Sequence, residues 1–317
     1  MNPDPIRLDG RVAIVTGAGH GLGRAYAAAL AGRGASVVCN DVMAESAAET
    51  AAAITADGGA AVVQTDSVAT PAGGTAIVEA ALDTFGRVDA LVNNAGQLRN
   101  AAFEDMTVDD FRDVLETHLA GAFYVTQPAY RRMKDARYGR IVFTSSSAGM
   151  FGSPWQANYA AAKAGLVGLC NVVALEGAAH GILANAIMPM ALTGIGSRGA
   201  PAYPPDVLRD TADSLRPLVP FMTVDNVAPL VVYLASDRCV ESRRVLSVGC
   251  SHVARVFVGA GPGWFAPDPT TMTPEQVAEH LPAACDLAGF SIPESMNDAS
   301  RFVADHLPEL TSRSTTR

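Results

Sequence analysis

The chain has 317 residues, 49% of them hydrophobic, and a formal net charge of −9 at pH 7. A chain of this length can bury about 75% of its unfolded surface, so we expect one large or two modest domains. The acidic balance argues against a general nucleic-acid binder, which would show a basic face. The opening sequence MNPDPIRLDG lacks an apolar signal core, and we expect a cytoplasmic protein with no membrane segment.

The five cysteines are scattered and include no C-x-x-C pair. Such spacing fits neither a zinc site nor a disulfide framework in a chain of this size. We therefore predict buried free thiols and no metal ion.

Short runs rich in valine, isoleucine and alanine alternate with longer helical stretches. The short runs predict strands at 11–16, 35–40, 60–65, 88–93, 140–145, 182–187 and 245–249. Helical length and periodicity are found at 21–33, 45–57, 71–86, 107–136, 158–180 and 225–236. Apolar strands joined by helices form parallel sheets that are covered on both faces. We predict a Rossmann-type, doubly wound α/β fold with a parallel seven-stranded sheet.

Two regions depart from this alternation. Residues 190–220 carry glycine and proline where a strand would turn into a helix, which predicts a long flexible loop. Residues 258–317 are too few for a second catalytic domain. We predict a cofactor-binding and catalytic domain over 1–257 and an extension over 258–317 that packs on this domain or on a partner subunit. Within the extension, Thr273 could cap a helix.

A glycine-rich turn, TGAGHGLGR, joins the first predicted strand to the first predicted helix. Gly17, Gly21 and Gly23 would let the backbone approach a pyrophosphate, whose charge the helix N-terminus would stabilise. A plain helix-entry turn can hold similar glycines, but the position after a strand and near the N-terminus favours a dinucleotide.

Asp41 follows the second predicted strand. A carboxylate there can accept hydrogen bonds from the ribose hydroxyls of adenosine, and its charge would repel a 2′-phosphate. His20 stands in the glycine turn where a lysine or arginine would help to hold that phosphate, and Arg24 is the one basic residue nearby. These residues predict NAD rather than NADP.

The ends of the third and fourth predicted strands carry further candidates. Asp66 could contact the adenine edge or cap a helix. In the run NNAG, Gly96 would let the backbone approach the cofactor, while the asparagines could instead stabilise a turn. The carboxyl ends of the first four strands would then line one crevice, where open α/β sheets bind ligands.

The pattern Tyr-x-x-x-Lys occurs twice, as YRRMK at 130–134 and as YAAAK at 159–163. Residues four apart share a helix face, so either pair could bring an ammonium group beside a phenol. The first pair precedes a strand, within the charged run RRMKDAR, and would lie at the amino-terminal edge of the sheet. The second pair follows a strand and would lie at the ligand-binding edge.

The second pair also has a serine partner, since Ser146 follows the same strand. Alcohol oxidation needs a base for the proton, and a tyrosine base at neutral pH needs its pKa lowered by about three units, or about 4 kcal/mol. The ammonium of Lys163 can contribute to that shift. We predict that Tyr159 is the acid/base, that Lys163 also reaches the nicotinamide ribose, and that Ser146 orients the substrate oxygen.

TGAGHGLG, NNAG, the serine and YAAAK, in this order, resemble the short-chain dehydrogenase/reductase family over about residues 8–250. The resemblance implies catalytic roles for Ser146, Tyr159 and Lys163. It implies cofactor-binding roles for Gly17, Gly21, Leu22, Gly23, Asp41, Asp66, Ser67, Asn94, Ala95, Gly96, Tyr159, Lys163 and Pro189. It also implies homodimers or homotetramers formed through the fourth and fifth large helices.

One position departs from the family pattern. His118, in THLAGAF, stands where the family usually has a catalytic asparagine. A lone helical histidine can be structural, but this position favours a site role in which it helps to hold a proton-relay water. THLAGAF and WQANYAAAKAGLVGL resemble the (3R)-hydroxyacyl-CoA dehydrogenase subgroup, which includes multifunctional enzymes of type 2, 17β-hydroxysteroid dehydrogenases of type 4 and bacterial stand-alone relatives. Arg243 and Arg244 depart from that subgroup, since Gly-Gly is expected there.

The resemblance implies an NAD-dependent dehydrogenase for the 3-hydroxyacyl-CoA of a bulky chain, such as a steroid side chain. Arg99 and Arg198 lie in loops that could bind the CoA. A dehydrogenase of 17β-hydroxysteroids or other secondary alcohols is the alternative. A cofactor-binding regulator without chemistry is a third possibility, but such a protein would be expected to lose the tyrosine or the lysine.

Overall fold

The computed structural model describes residues 4–193, 204–268 and 271–306. The chain forms two compact units that divide between Val256 and Phe257. The roles assigned above to 1–257 and to 258–317 stay a prediction.

A central eight-stranded sheet organises the first unit, in the order β3-β2-β1-β4-β5-β6-β7-β8. All seven predicted strands are present, and the predicted doubly wound α/β fold is confirmed. The strands are β1 Val12–Thr16, β2 Ser36–Asn40, β3 Ala60–Gln64, β4 Ala90–Asn93, β5 Gly139–Thr144, β6 Ile182–Pro189, β7 Val245–Gly249 and β8 His252–Val256. The first seven are parallel, whereas β8 pairs antiparallel with β7. No prediction included β8, because HVARV is an exposed edge strand without a buried apolar run.

The described helices alternate with the strands in the first unit and continue into the second. They are α1 Gly21–Ala31, α2 Ala44–Ala56, α3 Pro71–Phe85, α4 Val108–Leu115, α5 Gly121–Ala136, α6 Ser147–Phe151, α7 Ala157–Gly177, α8 Pro205–Leu215, α9 Ala228–Ala235, α10 Pro274–Ala284 and α11 Met296–Asp305. A π-helical segment, Glu116–Ala120, joins α4 to α5 without a break. The helix predicted over 107–136 is therefore present, but one turn of it is wider than an α-helical turn.

Successive residues of β1 point to opposite faces of the sheet, and both faces are buried. Ala13 and Val15 pack with Leu30 of α1 and Val231 of α9. Ile14, on the other face, packs in a second cluster with residues of α3, α5 and α7. This two-sided burial explains why the strands have continuous apolar runs.

The prediction of a loop over 190–220 is wrong at Pro205–Leu215, which forms α8. Residues 194–203 lie outside the described residues. Proline at a first helical position is compatible with a helix, so the prolines that predicted a loop also fit the start of α8. In the second unit, Thr273 caps α10 as predicted, with a capping box to Gln276.

Helix α7 and the 3-10 turn after it (Ala157–His180) are long and apolar enough to cross a membrane, by length and composition alone. The core helix of a soluble protein has the same length and composition. The helix packs on β6 and on α4 and α6. The expectation of no membrane segment stays a prediction.

The cysteines are free thiols, but not all are buried. Cys39, Cys170 and Cys239 are buried as predicted, whereas Cys250 is half-buried and Cys285 is exposed. Cys250 lies in the tight turn between β7 and β8, and Cys285 ends α10, where neither belongs to a core face.

Candidate active site

Tyr159 lies in the first turn of α7, just beyond the carboxyl end of β5. Its half-buried ring meets the imidazole of His118 edge-on, with 5.2 Å between ring centroids and 89° between planes. The ammonium nitrogen of Lys163 lies 5.4 Å from the centroid of the same ring. The structure thus brings the predicted acid/base together with two of the three residues predicted to act beside it, Lys163 and His118.

Lys163 is buried on the inner side of α7, one turn after Tyr159. Its Nζ donates a hydrogen bond to the carbonyl oxygen of Thr144 at 2.5 Å. In return, Ser145 Oγ donates to the carbonyl oxygen of Lys163 at 2.8 Å. Burial lowers the pKa of Lys163 to about 7, because the charged form loses its hydration.

Ser146 follows the end of β5 and caps the short helix α6, where its Oγ accepts from the amide of Ala148 at 3.2 Å. An accepting hydroxyl still has its own proton to donate. A Cβ on Gly149 would lie 2.7 Å from the amide nitrogen of Ala164, so α6 packs directly on α7. Ser146 and Tyr159 therefore lie on two helices in contact at the same edge of the sheet.

His118 lies in the π-helical segment and is buried. Its Nε2 is 2.9 Å from the amide nitrogen and 2.8 Å from the carbonyl oxygen of Gln97, so the tautomer decides which bond forms. Burial and then the charge of Lys163 lower the pKa of His118 to about 3, which keeps the imidazole neutral. A Cβ at Gly96 would lie 2.1 Å from Cε1 of this ring, so glycine is needed there to admit His118.

A cavity of about 10 Å³ lies beside His118 and Lys163, and a space of about this size accommodates one water molecule. Asn93, Asn94, Thr16 and Thr117 are among the polar residues that line it. Two buried atoms, His118 Nδ1 and Asn93 Oδ1, have no hydrogen-bond partner among the described residues. A polar cavity with unsatisfied atoms is the kind that holds a buried water.

The glycine turn is closely packed against the end of β4. Gly17 has φ of +67° and Gly21 has φ of +50°, in the left-handed region that favours glycine. A Cβ on Gly23 would lie 1.9 Å from the carbonyl oxygen of Gly17. Helix α1 begins at Gly21, so the amides of Gly21, Leu22 and Gly23 have no acceptor within the helix. These residues fit an anionic group such as a pyrophosphate.

Asp41 lies beside the glycine turn, where its carboxylate accepts from the amides of Gly19 and Met43, both at 3.0 Å. Arg24 donates to the carbonyl oxygen of Gly19 at 3.0 Å and pairs with Glu49 at 2.9 Å. Nε2 of His20 is 3.2 Å from the hydroxyl of Ser46. The basic residue nearest the ribose-binding position is therefore already paired with a carboxylate.

The structure decides the structural alternatives at the third and fourth strands, while the cofactor roles of Asp66 and Asn94 stay predictions. Asp66 does not cap a helix, because Thr70 caps α3; the Asp66 carboxylate accepts instead from the Gln64 amide at 2.5 Å. Asn94 stabilises a turn, since its side chain donates to the carbonyl oxygen of Thr16 at 2.9 Å.

The remaining predicted cofactor positions lie near the same sheet edge. The hydroxyl of Ser67 accepts from Ala69 at 3.2 Å, and the amide of Ala95 donates to Thr16 Oγ1 at 3.1 Å. Pro189 is the last residue of β6. Arg99, predicted to bind CoA, is exposed and 3.8 Å from Asp113, whereas Arg198 lies outside the described residues.

Two residues that the sequence analysis passed over also hold the site. The side chain of Gln97 donates to Thr117 Oγ1 at 3.0 Å and so ties the loop after β4 to the π-helical segment. Asn158 is buried and donates to the carbonyl oxygens of Arg99 and Asp110 at 2.9 and 3.1 Å. Neither residue belongs to a catalytic motif. The position of Asn158 directly before a predicted catalytic tyrosine is the sequence signal that could have identified it.

Comparison with known proteins identifies the family. Residues 11–196 match the family described as short chain dehydrogenase. The chain belongs to the short-chain dehydrogenase family. As members of this family do, it binds a nicotinamide cofactor and acts as an oxidoreductase on the CH–OH group of a small molecule.

Several relatives of this short-chain dehydrogenase are longer than it is. It is 38% identical over 97% of its length to mouse peroxisomal multifunctional enzyme type 2, but spans only 41% of that protein. It is 40% identical over 89% of its length to a Mycobacterium tuberculosis protein named as a putative short-chain type dehydrogenase/reductase, and spans 96% of it. Its structure matches full-length peroxisomal multifunctional enzyme type 2 from Drosophila melanogaster with a TM-score of 0.76 at 33% identity, covering 95% of this chain and 50% of that one.

Proposed function

We propose that this short-chain dehydrogenase oxidises a 3-hydroxyacyl-CoA to the 3-oxoacyl-CoA with NAD. The observation that carries the proposal is the cluster of Tyr159, Lys163 and His118 at the carboxyl edge of the sheet. Tyrosine and lysine fit alcohol oxidation in general. The histidine at the asparagine position, together with the likeness to multifunctional enzymes of type 2, supports the hydroxyacyl-CoA class.

In this mechanism, Ser146 donates a hydrogen bond to the substrate hydroxyl oxygen and holds it beside the phenol of Tyr159. The deprotonated Tyr159 takes the hydroxyl proton as the general base. Lys163 stabilises the phenolate when it is protonated, because a nearby positive charge favours the charged form of a phenol. A bound nicotinamide would supply the acceptor for the hydride that leaves the hydroxyl-bearing carbon.

The proton that reaches Tyr159 then needs a way out of a partly buried site. A water in the cavity beside Lys163 would accept it, and the unpartnered Nδ1 of His118 would bind that water. The pKa of about 3 keeps His118 neutral. It therefore binds and orients the water rather than competing with Tyr159 as a base.

The preference for NAD rests on charges at the end of β2. The Asp41 carboxylate faces the glycine turn and would repel a 2′-phosphate, while Glu49 pairs with Arg24. Initial rates at matched concentrations of NAD and NADP test this preference. Equal rates with the two cofactors would show that Arg24 can still bind the 2′-phosphate of NADP despite its ion pair with Glu49.

The substrate class is tested by NADH formation from (3R)- and (3S)-3-hydroxyacyl-CoA, 17β-hydroxysteroids and simple secondary alcohols. We expect one hydroxyacyl-CoA enantiomer to give the highest kcat/KM. Turnover of the steroids without turnover of either CoA thioester would overturn the proposal. Steroid turnover of that kind would favour the alternative dehydrogenase.

Assembly and location are separate proposals. A homodimer or homotetramer, formed through α5 and α7, agrees with the exposed apolar side chains of Phe123 on α5 and of Val172 and Leu175 on α7. Light scattering of the purified protein tests assembly, and a monomer would contradict it. A cytoplasmic location is tested by fractionation of cells.

A further inference from the structure

Trp155, in the turn before α7, has an unusual backbone conformation. Five non-glycine residues among those described have positive φ, and Trp155, with φ of 68°, is the only aromatic one. It stands four residues before Tyr159 in the sequence. A bulky side chain in the left-handed region is an outlier that costs free energy. Glycine would adopt the same conformation without this cost.

The backbone around Trp155 is held from both sides. The amide of Ala101 donates to the carbonyl oxygen of Trp155 at 3.1 Å. Gln156, which is buried, donates to Asn100 Oδ1 at 3.4 Å. These bonds join the turn before α7 to the loop after β4. The strained conformation is therefore held by bonds to a second segment rather than confined to a free loop.

Exposed apolar side chains follow the ends of the neighbouring strands. Phe103 is 84% exposed in the segment after β4, Phe151 is 72% exposed after β5, and Leu192 is 57% exposed after β6. The strands β4, β5 and β6 are adjacent in the sheet. Large apolar side chains exposed around a polar site indicate a surface for an apolar ligand.

We propose that Trp155 determines substrate specificity by providing the wall on which the apolar part of a long or ring-bearing substrate packs. The proposal rests on the proposed function, because it places the reacting hydroxyl at Tyr159. The half-buried indole is large enough to cover an acyl chain or a flat ring. Packing of the indole against the substrate explains why tryptophan, and not the less strained glycine, stands at this position.

The test compares Trp155→Gly with the wild type on 3-hydroxybutyryl-CoA and 3-hydroxydecanoyl-CoA. Loss of the indole removes apolar contact from the long chain only, so we expect its kcat/KM to fall by about tenfold. The value for the short chain stays close to the wild-type value. Arg243→Gly is the matched control, since Arg243 also has positive φ, at 62°, but lies before β7 at the opposite edge of the sheet. It should leave the ratio of the two substrates unchanged.

Fluorescence gives a second readout that does not depend on turnover. The chain has two tryptophans, so a Trp264→Phe variant reports on Trp155 alone. Decanoyl-CoA should change this fluorescence, and acetyl-CoA, which carries the same nucleotide, should not. If Trp155→Gly does not fold, Trp155→Asn replaces it, because asparagine tolerates the left-handed region.

The outcomes separate the two proposals. If no hydroxyacyl-CoA is oxidised but decanoyl-CoA still changes the fluorescence, the proposed reaction fails and the apolar wall stands. If the two substrates keep their wild-type ratio in Trp155→Gly and the fluorescence does not respond to chain length, the role of Trp155 is overturned.

Discussion

The two Tyr-x-x-x-Lys pairs have the same spacing but opposite surroundings. Lys134 is exposed near the end of α5, and Tyr130 is half-buried with its pKa raised by burial and by Glu176. Lys163 is buried, bonded to Thr144 and 5.4 Å from the ring of Tyr159. The first pair lies before β5 and the second after it. Whether a Tyr-x-x-x-Lys pair is a candidate acid/base pair therefore depends on the edge of the sheet on which it lies.

The largest expected effect separates the two tyrosines. We expect Tyr159→Phe to lower kcat by about three orders of magnitude, because it removes the acid/base group. We expect Tyr130→Phe to leave kcat close to the wild-type value. Steady-state rates of both purified variants measure the difference, and a Tyr159→Phe enzyme that remained active would show that the site is misassigned.

The two lysines should differ in stability as well as in activity. The pKa of buried Lys163 falls from 10.5 to about 7 on folding, so between these values the unfolded chain binds more protons. The free energy of unfolding of the wild type should therefore rise by about 2 kcal/mol from pH 7 to pH 9 because of Lys163. We expect Lys163→Met to abolish activity and to remove that rise. Lys134→Met should do neither, as urea unfolding at both pH values will measure.

His118 sharpens the comparison because its ring lies against Tyr159 of the second pair. The pKa of His118 falls from 6.5 to about 3 on folding. Between these values the unfolded chain binds a proton that the folded chain does not, so the free energy of unfolding is highest above pH 6.5 and falls as the pH drops towards 3. We expect His118→Asn to unfold at lower pH than the wild type and to keep more activity than His118→Ala, because an amide can still bind the relay water. Equal activity of the two variants would argue against the relay.

The smallest expected effects concern backbone strain at the two edges of the sheet. Arg243 precedes β7 with φ of 62°, and Ser251 lies in the turn after β7 with φ of 58°. Replacing either by glycine should raise the free energy of unfolding by about 1 kcal/mol, because glycine carries no penalty there. Thermal melts of the two single variants measure this, and a lower melting temperature would show that the lost side chain mattered more than the strain.

The sequence predicted the sheet well because each parallel strand is buried on both faces and so has a continuous apolar run. It did not predict β8, an exposed edge strand, or α8, whose prolines resemble those of a loop. The approach of the cofactor to Gly96 stays a prediction, but no sequence pattern indicated that the missing side chain of Gly96 also admits His118. Local patterns do not show which side chain from a distant element will occupy such a space.

The candidate site was predictable only where a motif carried it. The glycine turn, Ser146, Tyr159 and Lys163 stand in recognisable patterns. The π-helical segment, the cavity beside His118 and the strained conformation of Trp155 depend on tertiary packing and have no local sequence signal. The sequence therefore named the candidate reacting groups, while the structure showed what surrounds them.

Lys163 is held by its side chain and by its main chain at once. Its ammonium bonds to Thr144, and its carbonyl oxygen accepts from Ser145. Two successive residues of one strand end thus close a ring with a single helical residue. Such a ring leaves little freedom for the helix to shift when a ligand arrives, so little reorganisation energy remains to be supplied during a reaction. Amide exchange at the start of α7 should accordingly be as slow before ligand binding as after it.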